Sequence, residues 1–282
     1  MKWQGMPGSG NVQDRRGMGM GLPIGGGIGG LVLLLLFSAL TGTNPADIIT
    51  GGGSPDRQVG TSGVQDGVPA DDPQAEFVSV VLKDTENTWN EIFAERGDDY
   101  KEPQLVLFTQ ATQSACGVEQ SAMGPFYCPA DEQVYLDLSF FHELETRFGA
   151  PGDFAQAYVV AHEVGHHVQT VTGTSSKVTA ARQRMSERDA NQLSVRQELQ
   201  ADCYAGVWGH YAARRGLLEP GDAEEGLRAA AAIGDDTIQR QTQGHVAPES
   251  WTHGSSEQRM TWLRRGLDSG RMEACDTFTS GT

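Results

Sequence analysis

Hydrophobic and polar positions change character three times along the 282 residues. Residues 1–21 are polar and rich in Gly and Met, and residues 22–40 (LPIGGGIGGLVLLLLFSAL) carry no charge. Residues 41–74 are rich in Gly, Pro, Asp, Ser and Thr and poor in aromatics. From about residue 75 the apolar positions become periodic. Val78, Val81, Leu82, Trp89, Ile92 and Phe93 recur at helical spacing over 75–95. Residues 104–110 (QLVLFTQ) and 132–138 (EQVYLDL) read as strands, the second with Val134, Leu136 and Leu138 alternating. Residues 139–148 read as a helix that stops at Gly149-Ala150-Pro151. Asp153 is expected to cap a helix running to about Thr172. A polar connection over 174–185 leads to a long helix over about 187–214. Pro220-Gly221-Asp222 opens an Ala-rich helix to about 240, and 241–254 form a loop. Ser255 with Gln258 makes a capping box for a last helix with Met260, Leu263 and Leu267 on one face. A small early sheet followed mostly by helices is an α+β chain.

This pattern divides the chain into a tail (1–21), a transmembrane helix (22–40), a flexible linker (41–74) and a folded domain (75–282) whose order begins near Pro73. Nineteen uncharged residues at a 1.5 Å rise just cross a hydrocarbon core of ~30 Å. Lys2, Arg15 and Arg16 lie before the run, which predicts a cytoplasmic N-terminus and an extracytoplasmic C-terminal domain on a single-pass cell-membrane protein. A cleaved signal peptide is the rival, but Ser38-Ala39-Leu40-Thr41-Gly42 offers no clean small-x-small cleavage site. The net charge of −16, with 37 acidic against 21 basic residues and no basic block, argues against a nucleic-acid partner. Four cysteines follow the run, an even number that suggests two disulfides outside the cytoplasm. Cys116 and Cys128 bracket a Gly/Pro-containing loop and are paired on that basis, leaving Cys203 with Cys275. Four reduced, buried cysteines are the alternative; without a Cys-x-x-Cys spacing, a thiolate metal site is not expected.

The chemistry concentrates in Ala161-His162-Glu163-Val164-Gly165-His166. Residues four apart on a helix share a face, so both imidazoles can reach one metal ion. Glu163, about 100° further round, can reach a water on that metal as general base. A catalytic zinc site needs a third protein ligand and an open position. A third histidine six residues on is excluded, because Thr172 stands there. Glu198 and Asp202, four apart on the long helix, supply the other solution: Glu198 as third ligand, Asp202 accepting the free ring N–H of a liganding histidine. Glu187 is a weaker candidate ligand. His167 is turned away from the site, while His142, His210 and His245 show no partner pattern. His253, in a loop just before a helix N-terminus, or Tyr158 is a candidate to stabilise an oxyanion.

The segments SACGVEQSAMGPFYCPADEQVYLDLSFF, GDFAQAYVVAHEVGHHVQ, RQELQADCYAGVW, AAAAIGDDTIQ and THGSSEQR resemble the bacterial, membrane-anchored neutral zinc metallopeptidase family over about residues 75–278 and in the anchor. The resemblance implies a zincin-like α+β domain, a Zn2+ cofactor and a protein or peptide substrate. A more distant similarity, to zinc peptidases with a Glu-x-x-x-Asp second helix, matches His162, His166 and Glu198 to the metal, Glu163 to the base and Asp202 to the residue behind the ligands. Membrane-linked members of that group carry Thr-His-Pro followed by an arginine. Thr252-His253-Gly254 and Arg259 look similar, with Gly for Pro. The expected activity is peptide-bond hydrolysis outside the cytoplasmic membrane; the alternative is a non-catalytic, zinc-containing, membrane-anchored scaffold or binding protein.

Overall fold

The apolar stripe of the first periodic segment becomes the centre of the fold. In a computed structural model, which describes residues 1–17, 65–69 and 71–279, helix α1 (Pro73–Glu95) buries Val78, Val81, Leu82, Trp89 and Ile92. Asp72 caps it by accepting from the backbone N–H groups of Gln74 and Ala75. The expected membrane run, 22–40, lies outside the described residues. Among those described, no helix is long and apolar enough to cross a membrane.

A five-stranded sheet packs with α1 in one core. Its strands are β1 (Val12–Asp14), β2 (Gln65–Asp66), β3 (Gln104–Leu107), β6 (Phe126–Cys128) and β7 (Gln133–Leu136), in the order β2-β1-β3-β7-β6. β1 and β7 run parallel to β3 on either side, and β2 and β6 are antiparallel edges. Between β3 and β6 a separate hairpin, β4 (Ala111–Ser114) and β5 (Gly117–Gln120), spans a stretch for which no strands were expected. β7 is an interior strand, bonded on both sides, and among the described residues β6 is paired on one side only.

Residues 1–17 depart from the expectation of a detached tail. β1 pairs with β3 through Val12↔Leu105 and Asp14↔Leu107. Trp3 packs edge-on against Phe77 at 5.3 Å. Ser9 Oγ donates to Glu86 at 2.5 Å, and the Ser9 backbone N–H donates to the Ser79 carbonyl. These partners come from elements far along the chain, which is why local periodicity gave no sign of them.

The helical half contains α2 (Ser139–Thr146), α3 (Asp153–Val171), α4 (Thr174–Arg182), α5 (Glu187–Arg214), α6 (Asp222–Ala232), α7 (Asp235–Gln243) and α8 (Ser256–Ser269). The predicted polar connection forms helix α4. The single Ala-rich helix is broken at Gly234, where a Cβ would lie 2.4 Å from the Ser256 backbone nitrogen. Asp153 is the first helical residue rather than the cap: Gly152 holds that position, and Asp153 accepts from the Met1 nitrogen at 2.8 Å. The Ser255–Gln258 capping box is present as expected, and so are both disulfides, Cys116–Cys128 and Cys203–Cys275.

Two close crossings position the site. At α3–α5, a Cβ on Gly165 would lie 2.9 Å from the Ala201 carbonyl oxygen. At α5–α8, a Cβ on Gly206 would lie 2.1 Å from the Leu263 carbonyl oxygen, and one on Gly266 2.0 Å from that of Cys203. Only glycine lets these backbones approach so closely. Gly206→Ala must therefore separate α5 from α8, and we expect a loss of about 1–3 kcal/mol in urea unfolding. An unchanged unfolding midpoint would contradict this packing.

Candidate metal centre

α3 and α5 bring together the residues that the sequence singled out. His162 and His166 stand one turn apart on α3, with ring centroids 4.8 Å apart and planes at 90°. Glu198 faces both from α5, at 3.2 Å from His162 Nε2 and 3.4 Å from His166 Nε2. One donor atom from each of the three lies within 4.8 Å of the others, close enough to hold one ion. Glu163 is buried beside them, and its charge is felt by His166. Among the described residues no protein group hydrogen-bonds the Glu163 carboxylate.

The groups behind the donors set which ring nitrogen points inward. His162 Nδ1 donates to Asp202 Oδ1 at 2.8 Å, leaving Nε2 for an ion. Asp202 is fully buried and also accepts from Tyr158 Oη at 2.5 Å and from Arg259 through Nε and Nη2, both at 2.9 Å. Burial alone would raise the Asp202 pKa, but the Arg259 charge and His162 hold it down at about 2. Tyr158, expected as a possible oxyanion donor, is instead enclosed in this cage, and burial pushes its pKa well above the ordinary value. His166 Nδ1 donates to Gln169 Oε1 at 2.9 Å, so its Nε2 also faces the cluster.

Glu198 is held ionised: burial opposes this, but the His166 charge and hydrogen bonds from both histidines lower its pKa well below the usual carboxylate range. Burial works against a charged His162, yet Asp202 and Glu198 together raise it to about 10. The donor set of two neutral imidazole nitrogens and one carboxylate suits Zn2+ with room for a water. Each imidazole has its Nδ1–H held by a partner, Asp202 or Gln169, which leaves Nε2 as the nitrogen for an ion.

The other candidates separate cleanly. Glu187 is exposed at the start of α5, where Ser186 is the cap. His167 is fully buried, with Nε2 donating to the Lys101 carbonyl at 2.6 Å and Nδ1 paired with Tyr127 Oη at 3.1 Å. It ties α3 to β6 and the loop before β3, and burial lowers its pKa. His253 is half-exposed, its Nδ1 3.2 Å from Asp235 Oδ1. Burial would lower its pKa, but Asp235 and then Glu198 raise it. Asp235 Oδ2 also accepts from the backbone N–H groups of Thr252, His253 and Gly254 at 2.7–2.9 Å. Asp235, Gln169 and Arg259 hold the site's parts in place; of these only Arg259 was noticed in the sequence. A second acidic group, Asp153, Asp222 and Glu225, also comes within 4.8 Å, with the Met1 nitrogen against Asp153 and Asp222.

A His-Glu-x-x-His helix faces a glutamate on a second helix, with an aspartate behind the first histidine, and the three donor atoms could hold one ion. Comparison with known proteins gives the family. The chain belongs to the family described as "putative neutral zinc metallopeptidase", whose model matches residues 1–278. It is 48% identical over 288 residues to "Uncharacterized protein YpfJ" of Escherichia coli (strain K12), covering 99% of each chain. It is 43% identical over 215 residues to "Uncharacterized protein Rv2575" of Mycobacterium tuberculosis (strain ATCC 25618 / H37Rv), covering 72% of each. No solved structure matches.

The raised His162 pKa has a measurable consequence. At pH 7, below about 10, metal-free His162 carries a proton on both nitrogens, and an ion at Nε2 must displace one. Zn2+ affinity should therefore rise with pH through the neutral range, and the calorimetric heat of binding at pH 7 should vary with the buffer's ionisation enthalpy. A buffer-independent heat would contradict the assignment.

Proposed function

We propose that the protein is a zinc-dependent endopeptidase in which His162, His166 and Glu198 hold the ion and Glu163 is the general base. The convergence of three donor atoms within 4.8 Å, beside a buried glutamate that among the described residues no protein group hydrogen-bonds, supports this reading. An ion held by His162, His166 and Glu198 would supply the Lewis acidity to activate a water and polarise the scissile carbonyl. Glu163 takes the water's proton and delivers it to the leaving amine. His253, whose pKa burial lowers but Asp235 and the Glu198 charge raise, can offer an N–H to the developing oxyanion.

Substrate binding falls to β6 rather than to the 132–138 strand first expected, because β7 has no free edge. An extended peptide can add to Phe126–Cys128 by strand pairing. A cavity of about 350 Å3 near this edge is lined by Pro129, Thr170, Ser175, Ser176 and Thr179 among others. Thr170 lies one turn beyond His166, with its hydroxyl on the His166 carbonyl.

Location is part of the same proposal. Two disulfides favour an oxidising compartment outside the cytoplasm. Pairing of β1 with β3 favours residues 1–17 on the same side as the domain rather than opposite it, which replaces the cytoplasmic N-terminus expected from charge. Gly10 is exposed and Met185 is 46% exposed, and all four native cysteines are paired. Gly10→Cys and Met185→Cys should therefore both react with a membrane-impermeant maleimide added outside intact cells. Labelling of Met185→Cys alone would overturn the same-side placement.

Glu163→Gln should retain zinc while abolishing hydrolysis. Comparison of new protein N-termini in cells carrying wild type or Glu163→Gln should find a set that depends on Glu163. Identical termini in the two would overturn the peptidase reading and favour a zinc-bearing scaffold.

A further inference from the structure

The two histidines are supported in different ways. Behind His162 stands a charged pair, Asp202 with Arg259. Behind His166 runs a line of neutral amides. Gln169 Oε1 accepts from His166 Nδ1 at 2.9 Å, and its Nε2 donates to the Gln197 carbonyl at 2.7 Å and to Gln200 Oε1 at 3.1 Å. Gln200 Nε2 then donates to the Cys275 carbonyl at 3.0 Å. Gln169 is fully buried and Gln200 nearly so.

The direction of this relay is forced. Backbone carbonyls only accept, so the Gln197 and Cys275 oxygens each demand an amide NH2. That turns Gln200 Oε1 towards Gln169, and Gln169 Oε1 towards His166. His166 must then carry its proton on Nδ1, leaving the Nε2 lone pair for the ion. The far end of the relay is covalently secured, because Cys275 is bonded to Cys203 on α5, one turn beyond Gln200. Two further contacts lace the C-terminal segment to the same helix: Thr277 Oγ1 donates to the Arg196 carbonyl and Arg196 to that of Phe278.

We propose that Gln169 and Gln200 are positioning residues for the metal, which fix the tautomer and orientation of His166 by connecting it to the Cys203–Cys275 crosslink. The proposal rests on the reading of His166 as a ligand. Its role for the disulfide is specific: the bond keeps the Cys275 carbonyl where Gln200 needs it, so the C-terminal segment contributes to metal affinity without touching the ion.

The test uses the full chain and Zn2+ alone, with affinity measured against a chromogenic chelator. Gln169→Met keeps the side chain's length but cannot accept from Nδ1. Its Zn2+ affinity should fall by about 10–100-fold, the usual effect of removing such a partner. Long-range 1H–15N spectra of the zinc-loaded protein should show a downfield, hydrogen-bonded His166 Nδ1–H in wild type that moves upfield in the variant, a signature that a general loss of packing would not give. Should Gln169→Met fail to fold, Gln200→Met decides. It leaves the direct partner of His166 in place and should weaken zinc by a smaller factor, about 10-fold or less. Wild-type affinity and an unshifted His166 Nδ1–H in the folded variant would overturn the relay. A wild-type protein that binds no Zn2+ would instead overturn the metal-site reading beneath it.

Discussion

Asp202 is a fully buried carboxylate, and the arrangement of the helical half follows from how its charge is compensated. A lone ionised carboxylate in an apolar core would neutralise instead of staying charged. Here Arg259 on α8 meets it with two 2.9 Å hydrogen bonds, Tyr158 on α3 adds a third donor, and His162 a fourth. Breaking such a buried pair by removing one partner costs about 3–5 kcal/mol. The cluster therefore binds α3, α5 and α8 to one geometry. The same carboxylate orients His162, so the group that joins the helices also turns the His162 Nε2 towards the candidate metal centre. The glycine crossings at Gly165 and at Gly206–Gly266 serve this arrangement by allowing the backbones close enough for the short side chain of Asp202 to reach its partners.

The part of the site carried by helical spacing was readable in the sequence. His162, Glu163 and His166 lie within one turn, and Glu198 and Asp202 repeat the four-residue interval, so two faces could be matched before any fold was known. Both cysteine pairings were also legible, one from its short loop and the other by remainder. Gln169 was not, because a glutamine carries no metal-binding signature and its role exists only through two backbone carbonyls. Asp235 was hidden similarly: its function is to collect the amides of Thr252, His253 and Gly254, which lie 17 to 19 positions away. Tyr158 has the right helical phase to face the site, but burial and Asp202 engage its hydroxyl.

The fold was less legible where pairing is long-range. Three-residue strands such as β1 have no period to detect, and alternation in 133–136 cannot say whether a strand is interior or edge. The placement of β1 matters most for biology. Compositional rules read residues 1–21 and 22–40 as a cytoplasmic tail and a span, whereas strand pairing makes residues 1–17 part of the domain. A single crossing between β1 and β2 would separate strands that hydrogen-bond to each other through Gln13↔Asp66 and Asp14↔Gln65, so the two arrangements are alternatives for one molecule.

The proposed centre is a single zinc ion held by two imidazoles and one carboxylate with a position left open. X-ray absorption at the zinc edge of the metal-loaded protein measures this directly. Two imidazole nitrogens at about 2.0–2.1 Å and one or two oxygens at about 2.0–2.2 Å are expected, with no sulfur. Sulfur scattering at about 2.3 Å, or a shell without imidazole, would contradict it.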